Sequence, residues 1–389
     1  MKRIGFVMST TDNEWIGGLN YLSNLLHAIY GLPDRKIEPV IIAAPNSPQQ
    51  YLDQFPPFEV IRTPYAYIPN KINLLRRGAK VILRRDFLME RFLVQNRIAA
   101  LSHSGHLGAH SPIPTISWIA DFQHRHLPDF FEPQEMAHRE KWFKQICDIS
   151  ARVILSSNCA QRDLAAFAPS AIEKCRILHF VSGFGAVRDQ QSDLADLQQR
   201  YDFSGPYFHL PNQFWTHKNH RVVVEALALL KKRREKILVI STGHTNDRRR
   251  PEYFSEFKKL VAESDVDAEF RILGLVPYAD LFALMRHSTA VINPSFFEGW
   301  STTVEESKSM GKRVVLSDIP VHREQAPERA AYFPPSDPSK LAEALSSLVN
   351  SYSLEEDEAS RAVAKALLPG RVDHFARTYE KIALEACGG

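Results

Sequence analysis

The sequence predicts an α/β protein built as two doubly wound domains facing a cleft, and three observations carry that expectation. The chain has 389 residues, too many for one hydrophobic core. Short β-branched runs alternate with segments of helical period from end to end, the pattern of parallel sheets covered by helices on both faces. The alternation lapses once, over the polar stretch SGFGAVRDQQSDLADLQQRYDFSG (182–205), and then resumes.

In order, RIGFVMS (3–9) reads as a strand and GLNYLSNLLHAIYGL (18–32) as an amphipathic helix with Leu22, Leu25, Leu26 and Ile29 on one face. Strands EPVIIAA (38–44) and FEVIRT (58–63) follow, then a long segment from Lys71 to Asn96. TISWIAD (115–121), ARVILSS (151–157) and CRILHF (175–180) complete a first set, with the helical stretch EPQEMAHREKWFKQICDI (132–149) between them. The second set is YFHLPNQ (207–213), KILVISTG (236–243), FRILGLV (270–276), TAVINPS (289–295), RVVLSD (313–318) and AAYFPP (330–335). The last helix, RVDHFARTYEKIALEA (371–386), carries Phe375, Tyr379 and Ile382 on one side. The expected domains are 1–182 and 183–368, with 369–389 a helix returning to the first.

Composition excludes several function classes. Net charge is +3, too small to indicate nucleic acid. The four cysteines (Cys147, Cys159, Cys175, Cys387) have no metal-ligand spacing and read as thiols of a reducing compartment. MKRIGFVMST enters a strand without the apolar segment of a signal peptide, and no apolar run approaches a membrane span. A cytoplasmic location is expected, with any membrane contact peripheral at the inner face of the cell membrane.

The segment PSFFEGWSTTVEESKSMG (294–311) concentrates the chemistry. TAVIN is a buried parallel strand, EESKSM begins a helix, and Gly311 suits a left-handed stop. Thr302 with Glu305, and Thr303 with Glu306, each fit a capping box. That leaves Glu298, on the loop beside Gly299, without a structural task. A strand–loop–helix turn stands at the carboxyl end of the sheet, where ligands bind, and a helix start seats a phosphate. Carboxylates beside a phosphate are useful when they accept from hydroxyls. A phosphate flanked by polyols describes a nucleotide sugar.

PSFFEGWSTTVEESKSMGKRVVLSDIPVHRE resembles the signature of retaining GT-B glycosyltransferases, family 4 of the group 1 type, in its Glu–seven residues–Glu spacing and surrounding frame. The resemblance implies two Rossmann-like domains, the C-terminal one binding the donor and the N-terminal one the acceptor. It assigns Glu298 to hydroxyls of the donor sugar and Glu306 to the nucleotide ribose. It gives the diphosphate to backbone N–H groups across Gly299, Trp300, Ser301 and Thr302, and puts a base pocket near Gly274 and Leu275. In LPNQFWTHKNHRVVVEALALL it matches Lys218 to a lysine that grips the diphosphate. The arginine expected five residues earlier is here Gln213, a neutral donor. Gly17 and Gly18, before the first helix, resemble the family's N-terminal glycine loop; the plainer alternative is a loop needing positive φ.

In SWIADFQHRHLPDFF, Asp121, His124 and His126 are expected at a strand's carboxyl end, suited to sugar hydroxyls or proton movement. A histidine in this part of the family's acceptor domain contacts the donor sugar near the reacting carbon, and His124 is preferred over His126 for that role. In KINLLRRGAKVILRR the basic Lys71, Arg76, Arg77, Lys80, Arg84 and Arg85 interleave with Leu74, Leu75, Ile82 and Leu83. They form either a solvated helix face or an interfacial helix drawn to anionic lipid by about one kcal/mol per basic residue.

The expected activity is a retaining, metal-independent glycosyl transfer from a GDP- or UDP-sugar to a glycan or lipid-linked acceptor in surface polysaccharide assembly. Lys218, Glu298 and His124 form the catalytic group. No cofactor, no metal and no nucleic acid are expected. A non-hydrolysing nucleotide-sugar epimerase of the same architecture, or a non-catalytic nucleotide-sugar binding protein, are the alternatives.

Overall fold

The computed structural model describes residues 1–8, 16–66, 71–182 and 193–388; for Ile16, Gly17, Lys71, Ile72 and Arg77 it describes the backbone alone. Two compact units emerge: Met1–Phe122 with Pro133–Val181 and Gly370–Gly389, and Gln123–Glu132 with Ser182–Pro369.

The first unit runs β1 (Lys2–Met8), α1 (Ile16–Tyr30), β2 (Ile37–Ala43), α2 (Gln49–Leu52), β3 (Glu59–Arg62), α3 (Lys71–Ile82), α4 (Phe87–Gln95), β4 (Ile98–Ser102) and β5 (Thr115–Ile119). After α5 (Gln123–His126), which counts with the second unit, come α6 (Pro133–Ile149), β6 (Arg152–Leu155), α7 (Asn158–Phe167) and β7 (Cys175–Ile177). All seven strands are parallel, in the order β3-β2-β1-β4-β5-β6-β7. The order reverses between β1 and β4, which makes that pair the topological switch point.

Four features depart from the sequence reading. β4 was not expected: IAALS has two alanines and no β-branched residue after Ile98, so propensity argues against a strand, and its place between β1 and β5 decides otherwise. The segment from Lys71 to Asn96 is two helices. Arg84 turns to φ 54° between them, and Asp86 caps α4 by accepting from Met89 N at 3.2 Å. Gly17 and Gly18 lie inside the first turn of α1, not in a loop ahead of it. The last helix begins at Leu354 and runs through Pro369 to Ala386.

The second unit continues with α8 (Leu194–Tyr201), β8 (Tyr207–Leu210), α9 (His220–Lys232), β9 (Leu238–Thr242), α10 (Tyr253–Glu263), β10 (Phe270–Gly274), α11 (Tyr278–His287) and β11 (Val291–Asn293). It closes with α12 (Thr302–Ser309), β12 (Val314–Ser317), α13 (Pro320–Gln325), β13 (Ala330–Phe333), α14 (Pro338–Asn350) and α15 (Leu354–Ala386). Its sheet is parallel in the order β10-β9-β8-β11-β12-β13, so the switch point lies between β8 and β11. Phe208, Leu210, Val239, Ile292 and Val315 of the strands pack with Val223 and Leu227 of α9 and Leu341 and Leu345 of α14. Such continuous apolar strands are those of a sheet buried on both faces.

The C-terminal part of α15 packs on the first unit, as its apolar side requires. Phe375, Tyr379 and Ile382 are buried. Tyr379 donates to Ser102 Oγ at 2.7 Å, and Glu385 takes Arg152 and Arg176 at 3.2 and 2.8 Å. The N-terminal part is fixed in the second unit by Asp357, which meets Lys312 at 2.5 Å and Arg329 at 2.6 Å.

Lys312 and Asp357 are both buried, so Asp357→Ala leaves a buried cation without its counter-charge. The expected loss is about 3–5 kcal/mol, read from urea denaturation. Glu343→Ala breaks an exposed bridge with Lys340 and is expected to cost below about 1 kcal/mol. Equal losses from the two would contradict the assignment.

Candidate functional site

The loops leaving β8 and β11 stand at the carboxyl ends of the two switch-point strands, and side chains zip them together. Asn219, left-handed at φ 54°, donates to Pro294 O at 3.0 Å and Pro335 O at 2.8 Å. Phe296 N donates to His217 O at 2.9 Å, and Asn212 Nδ2 to Asn293 Oδ1 at 3.2 Å. Residues of small polar type are needed here because both loops begin below the surface, where each backbone group must find a partner.

Glu298 sits where the loops meet. Its Oε1 lies 2.7 Å from Lys218 Nζ, 2.7 Å from Ser295 Oγ and 3.4 Å from Asn293 Nδ2, with the side chain only 9% exposed. Burial by itself would raise this carboxyl, but the Lys218 ammonium overrides it and holds the group down at about 2. His217 is pushed down to about 3 by burial, with Lys218 adding to the effect, and burial lowers His322 as well. Both imidazoles are therefore neutral at pH 7, and Lys218 supplies the positive charge that Glu298 feels.

Neither expected capping box forms. Ser301 caps α12, its Oγ accepting from Val304 N at 3.3 Å and from Asn293 Nδ2 at 2.8 Å. Glu305 turns instead to Gln325 Nε2 at 3.1 Å and Lys308 Nζ at 3.4 Å. Gln325 also accepts from Ser301 N at 3.1 Å, so one of the backbone donors expected to face a diphosphate is already engaged. Gly299, Trp300 and Thr302 are half-buried. Gly311, at φ 64°, ends the helix as its position suggested.

Glu306 is the counterpart of Glu298 with the opposite charge logic. It is buried on α12, and its Oε1 accepts from Ser182 Oγ at 3.4 Å. Burial raises its carboxyl to about 8, and the weak serine bond offsets little of that. At neutral pH Glu306 therefore keeps its proton in the unliganded protein.

The remaining candidates fall as follows. Gln213 is half-buried beside the loop after β9. There Gly243 takes φ 148°, and a Cβ on it would meet Asn212 O at 2.3 Å. Gly274 (φ 70°) accepts from Gly243 N at 2.8 Å with open space where a Cβ would stand, and Leu275 is exposed. His124 is fully buried, its ring 6.2 Å from that of Phe131. His126 is exposed, with its ring 5.0 Å from that of Phe297, the neighbour of Glu298. Asp121 follows β5 in the first unit and is half-buried. Sequence reasoning missed Asn293, Ser295 and Gln325, which carry no charge to single them out.

Several side chains of the basic segment are engaged within the fold. Arg76 is tied to Asp86 (2.7 Å) and Asn73, Lys80 donates to His106 O at 2.6 Å, and Arg85 pairs with Glu90 at 2.5 Å. The side chains of Lys71 and Arg77 lie outside the described residues, and Arg84 is exposed. Leu74, Leu75, Val81 and Ile82, at helical spacing on α3, point outward with Leu83 and Phe87, all 47–80% exposed. Inside α3 lies a cavity of about 460 Å³, lined by Tyr65, His103, His106, Trp118 and Trp142 among others. It opens near the carboxyl ends of β1 and β4, the first unit's switch point. Among the described residues, no helix is long and apolar enough to cross a membrane.

Residues 204–365 match the sequence profile of the family described as glycosyl transferases group 1. No curated protein matches the chain. Among solved structures it is similar to a glycosyltransferase from Rickettsia africae ESF-5, with a TM-score of 0.70 and 16% identity over 99% of this chain and 97% of that one. It is similar also to HepE of Anabaena, solved with UDP and glucose, with a TM-score of 0.70 and 15% identity over 100% of both chains. A third is sucrose-phosphate synthase from Thermosynechococcus elongatus, at 0.64 and 15% over 99% and 97%. The GT-B architecture and the group 1 resemblance read from residues 294–324 are thus borne out.

The raised carboxyl of Glu306 gives a pH test. An acid whose folded pKa lies above its unfolded one holds its proton more tightly when folded. Between about 4.5 and about 8 the folded state carries the extra proton, and stability falls as pH rises. Glu306→Gln is expected to remove that part of the decline, seen as a smaller difference between urea midpoints at pH 5 and pH 8 than in the wild type. An unchanged difference would contradict it.

Proposed function

We propose that the chain is a retaining glycosyltransferase that moves a sugar from a nucleoside diphosphate sugar to a glycan or lipid-linked acceptor in surface polysaccharide assembly. The observation that carries this reading is Glu298, kept ionised by Lys218 on the loop that feeds α12, within the segment matching group 1 glycosyl transferases. An ionised carboxylate held beside a lysine accepts from sugar hydroxyls, while the lysine faces the phosphate next to them. HepE, solved with UDP-glucose, favours a uridine donor over a guanosine one.

In this reading Lys218 is shared between Glu298 and the diphosphate. As the glycosidic bond breaks, charge grows on the leaving phosphate oxygen, and the fixed ammonium and the start of α12 stabilise it there. Glu298 orients the sugar. Attack from the face of the departing phosphate lets a phosphate oxygen take the acceptor's proton, so neither glutamate acts as nucleophile and the charge is handled without a metal. Glu306 meets the ribose hydroxyls, and His126 joins or replaces His124 at the sugar.

The apolar outer face of α3 supports peripheral binding at the inner face of the cell membrane, where a lipid-linked acceptor would be found. Apolar side chains outward and polar ones inward is the arrangement of a helix that lies in a lipid interface. Galactosyltransferase WaaB of the lipopolysaccharide outer core and WaaG of lipopolysaccharide biosynthesis share the fold.

Incubation with UDP-glucose, UDP-galactose and GDP-mannose, following both free nucleotide and the sugar nucleotide itself, tests the activity. Release of nucleoside diphosphate is expected from one donor, falling about 10²–10³-fold in Lys218→Ala. Interconversion of sugar nucleotides without nucleotide release would instead identify an epimerase. Binding without turnover, even with glycan acceptors, would identify a binding protein.

Flotation with phosphatidylglycerol vesicles tests the membrane contact. The wild type is expected to float, and Val81→Asp with Ile82→Asp to stay in the soluble fraction with nucleotide binding intact. Equal flotation of both would remove the α3 face from the proposal.

A further inference from the structure

This inference rests on the acceptor half of the reading above and concerns the cavity of the first unit. Its volume of about 460 Å³ falls in the range of small-molecule sites, about 300–1,000 Å³. Val7 and Met8 at the end of β1, Leu101 of β4 and the loop 103–107 form part of its lining, and Asn73, Arg76 and Lys80 of α3 another part. It therefore lies at the carboxyl ends of the strands where the sheet order reverses, the place where open α/β sheets take ligands.

Three large aromatic rings line it as well, each half-buried and each fixed by its neighbours. Trp118 stacks on Tyr21 with ring centres 4.4 Å apart, and its Nε1 donates to Ser156 Oγ at 3.1 Å. Trp142 is brought in by Gly105, where a Cβ would meet the indole at 2.6 Å, so no side chain could share that space. Tyr65 meets the Phe92 ring edge-on at 5.7 Å, with the Arg76 guanidinium 5.5 Å from its own centre. The charged groups of the wall are tied within it, Arg76 to Asp86 at 2.7 Å and Lys80 to His106 O at 2.6 Å. The His106 imidazole differs from them. It is buried, lies 5.7 Å from the Trp142 ring, and neither of its nitrogens makes a hydrogen bond of ordinary length and angle within the fold, although Gln145 comes near enough to act on one. Burial, with Lys80 adding to it, holds the ring down at about 4, so at neutral pH one nitrogen donates and the other accepts.

Fixed aromatic rings beside a neutral, buried donor–acceptor suit a pyranose. The C–H face of such a ring is apolar and slightly positive and packs on the negative face of an aromatic ring, while its hydroxyls project outward to donors and acceptors. An acyl chain suits the wall less well, because it would strip water from Asn73, Arg76 and Asp86 and offer them nothing in return. We propose that this cavity is a sugar-binding site, taking a pyranose ring of the acceptor against its aromatic wall with a hydroxyl on His106. The acceptor is then read by its sugar, and not by any chain attached to it.

Titration of the full chain with methyl and butyl glycosides of glucose, galactose, mannose and N-acetylglucosamine tests this, followed by tryptophan fluorescence and saturation-transfer NMR. At least one sugar is expected to bind without any nucleotide, its methyl and butyl forms alike. Trp142→Leu removes part of the wall and Ala66→Leu fills the space it encloses; each is expected to weaken binding about tenfold or more. Trp142→Phe recovers part of the first loss, and His106→Leu costs about three- to tenfold. A cooperative urea transition in each variant shows that the chain is still folded. Failure of every glycoside to bind overturns the proposal, and so does binding that neither Trp142→Leu nor Ala66→Leu alters. Butanol competing for the site, with the identity of the sugar indifferent, marks an acyl pocket and overturns it too. UDP and GDP titrated in parallel keep the two readings apart. Sugar bound by a wild type that binds neither nucleotide removes the donor reading and leaves the cavity, whereas nucleotide bound without any sugar removes only the cavity.

Discussion

Keeping a carboxylate ionised below the surface is costly unless a counter-charge and hydrogen bonds are fixed around it. The Lys218–Glu298 pair meets that condition, and the surrounding structure can be read as the means of doing so. Lys218 comes from the loop after β8 and Glu298 from the loop after β11, strands that are neighbours in space but 80 residues apart in these side chains. Holding them at 2.7 Å requires the two loops to be locked, which is the work of Asn212, Asn219, Asn293 and Ser295. The charged pair gives the site its chemistry, and the uncharged frame gives the pair its geometry.

The same frame explains why two glutamates in one segment end in opposite states. Glu298 has an ammonium and a hydroxyl beside it and stays ionised, while Glu306, on α12, has a serine at 3.4 Å and keeps its proton. Environments that push two like groups apart are a recurrent mark of sites that divide labour between them. In the proposed reading the ionised group would face the sugar and the neutral one the ribose, where a protonated carboxyl can both donate and accept.

Much of the fold was legible because strand runs buried on both faces announce themselves, as TAVIN and RVVLSD do. What stayed hidden was set by tertiary context. IAALS becomes central strand β4 because β1 and β5 flank it, although its alanines favour helix. Pro369 would end a free helix, yet α15 continues through it, with Asp357 anchored on one side and Tyr379 on the other. At the site, Glu298, Lys218 and Glu306 were visible as charged residues in a spaced frame. The cap was misassigned because threonine–glutamate spacing fits two adjacent registers, whereas the Asn293 contact selects Ser301, one residue before both. The α3 segment showed its charges in sequence, but only the fold reveals that Asp86 and the His106 carbonyl engage Arg76 and Lys80 while Leu74, Leu75 and Leu83 stay outside.

Hydrogen exchange with and without a saturating nucleoside diphosphate addresses the central claim, that the paired loops around Lys218 and Glu298 hold the donor. The expected result is slowed exchange at backbone amides of residues 213–219 and 294–306, with uridine or guanosine alone giving less. Slowed exchange elsewhere, with these two loops indifferent to the ligand, would contradict it.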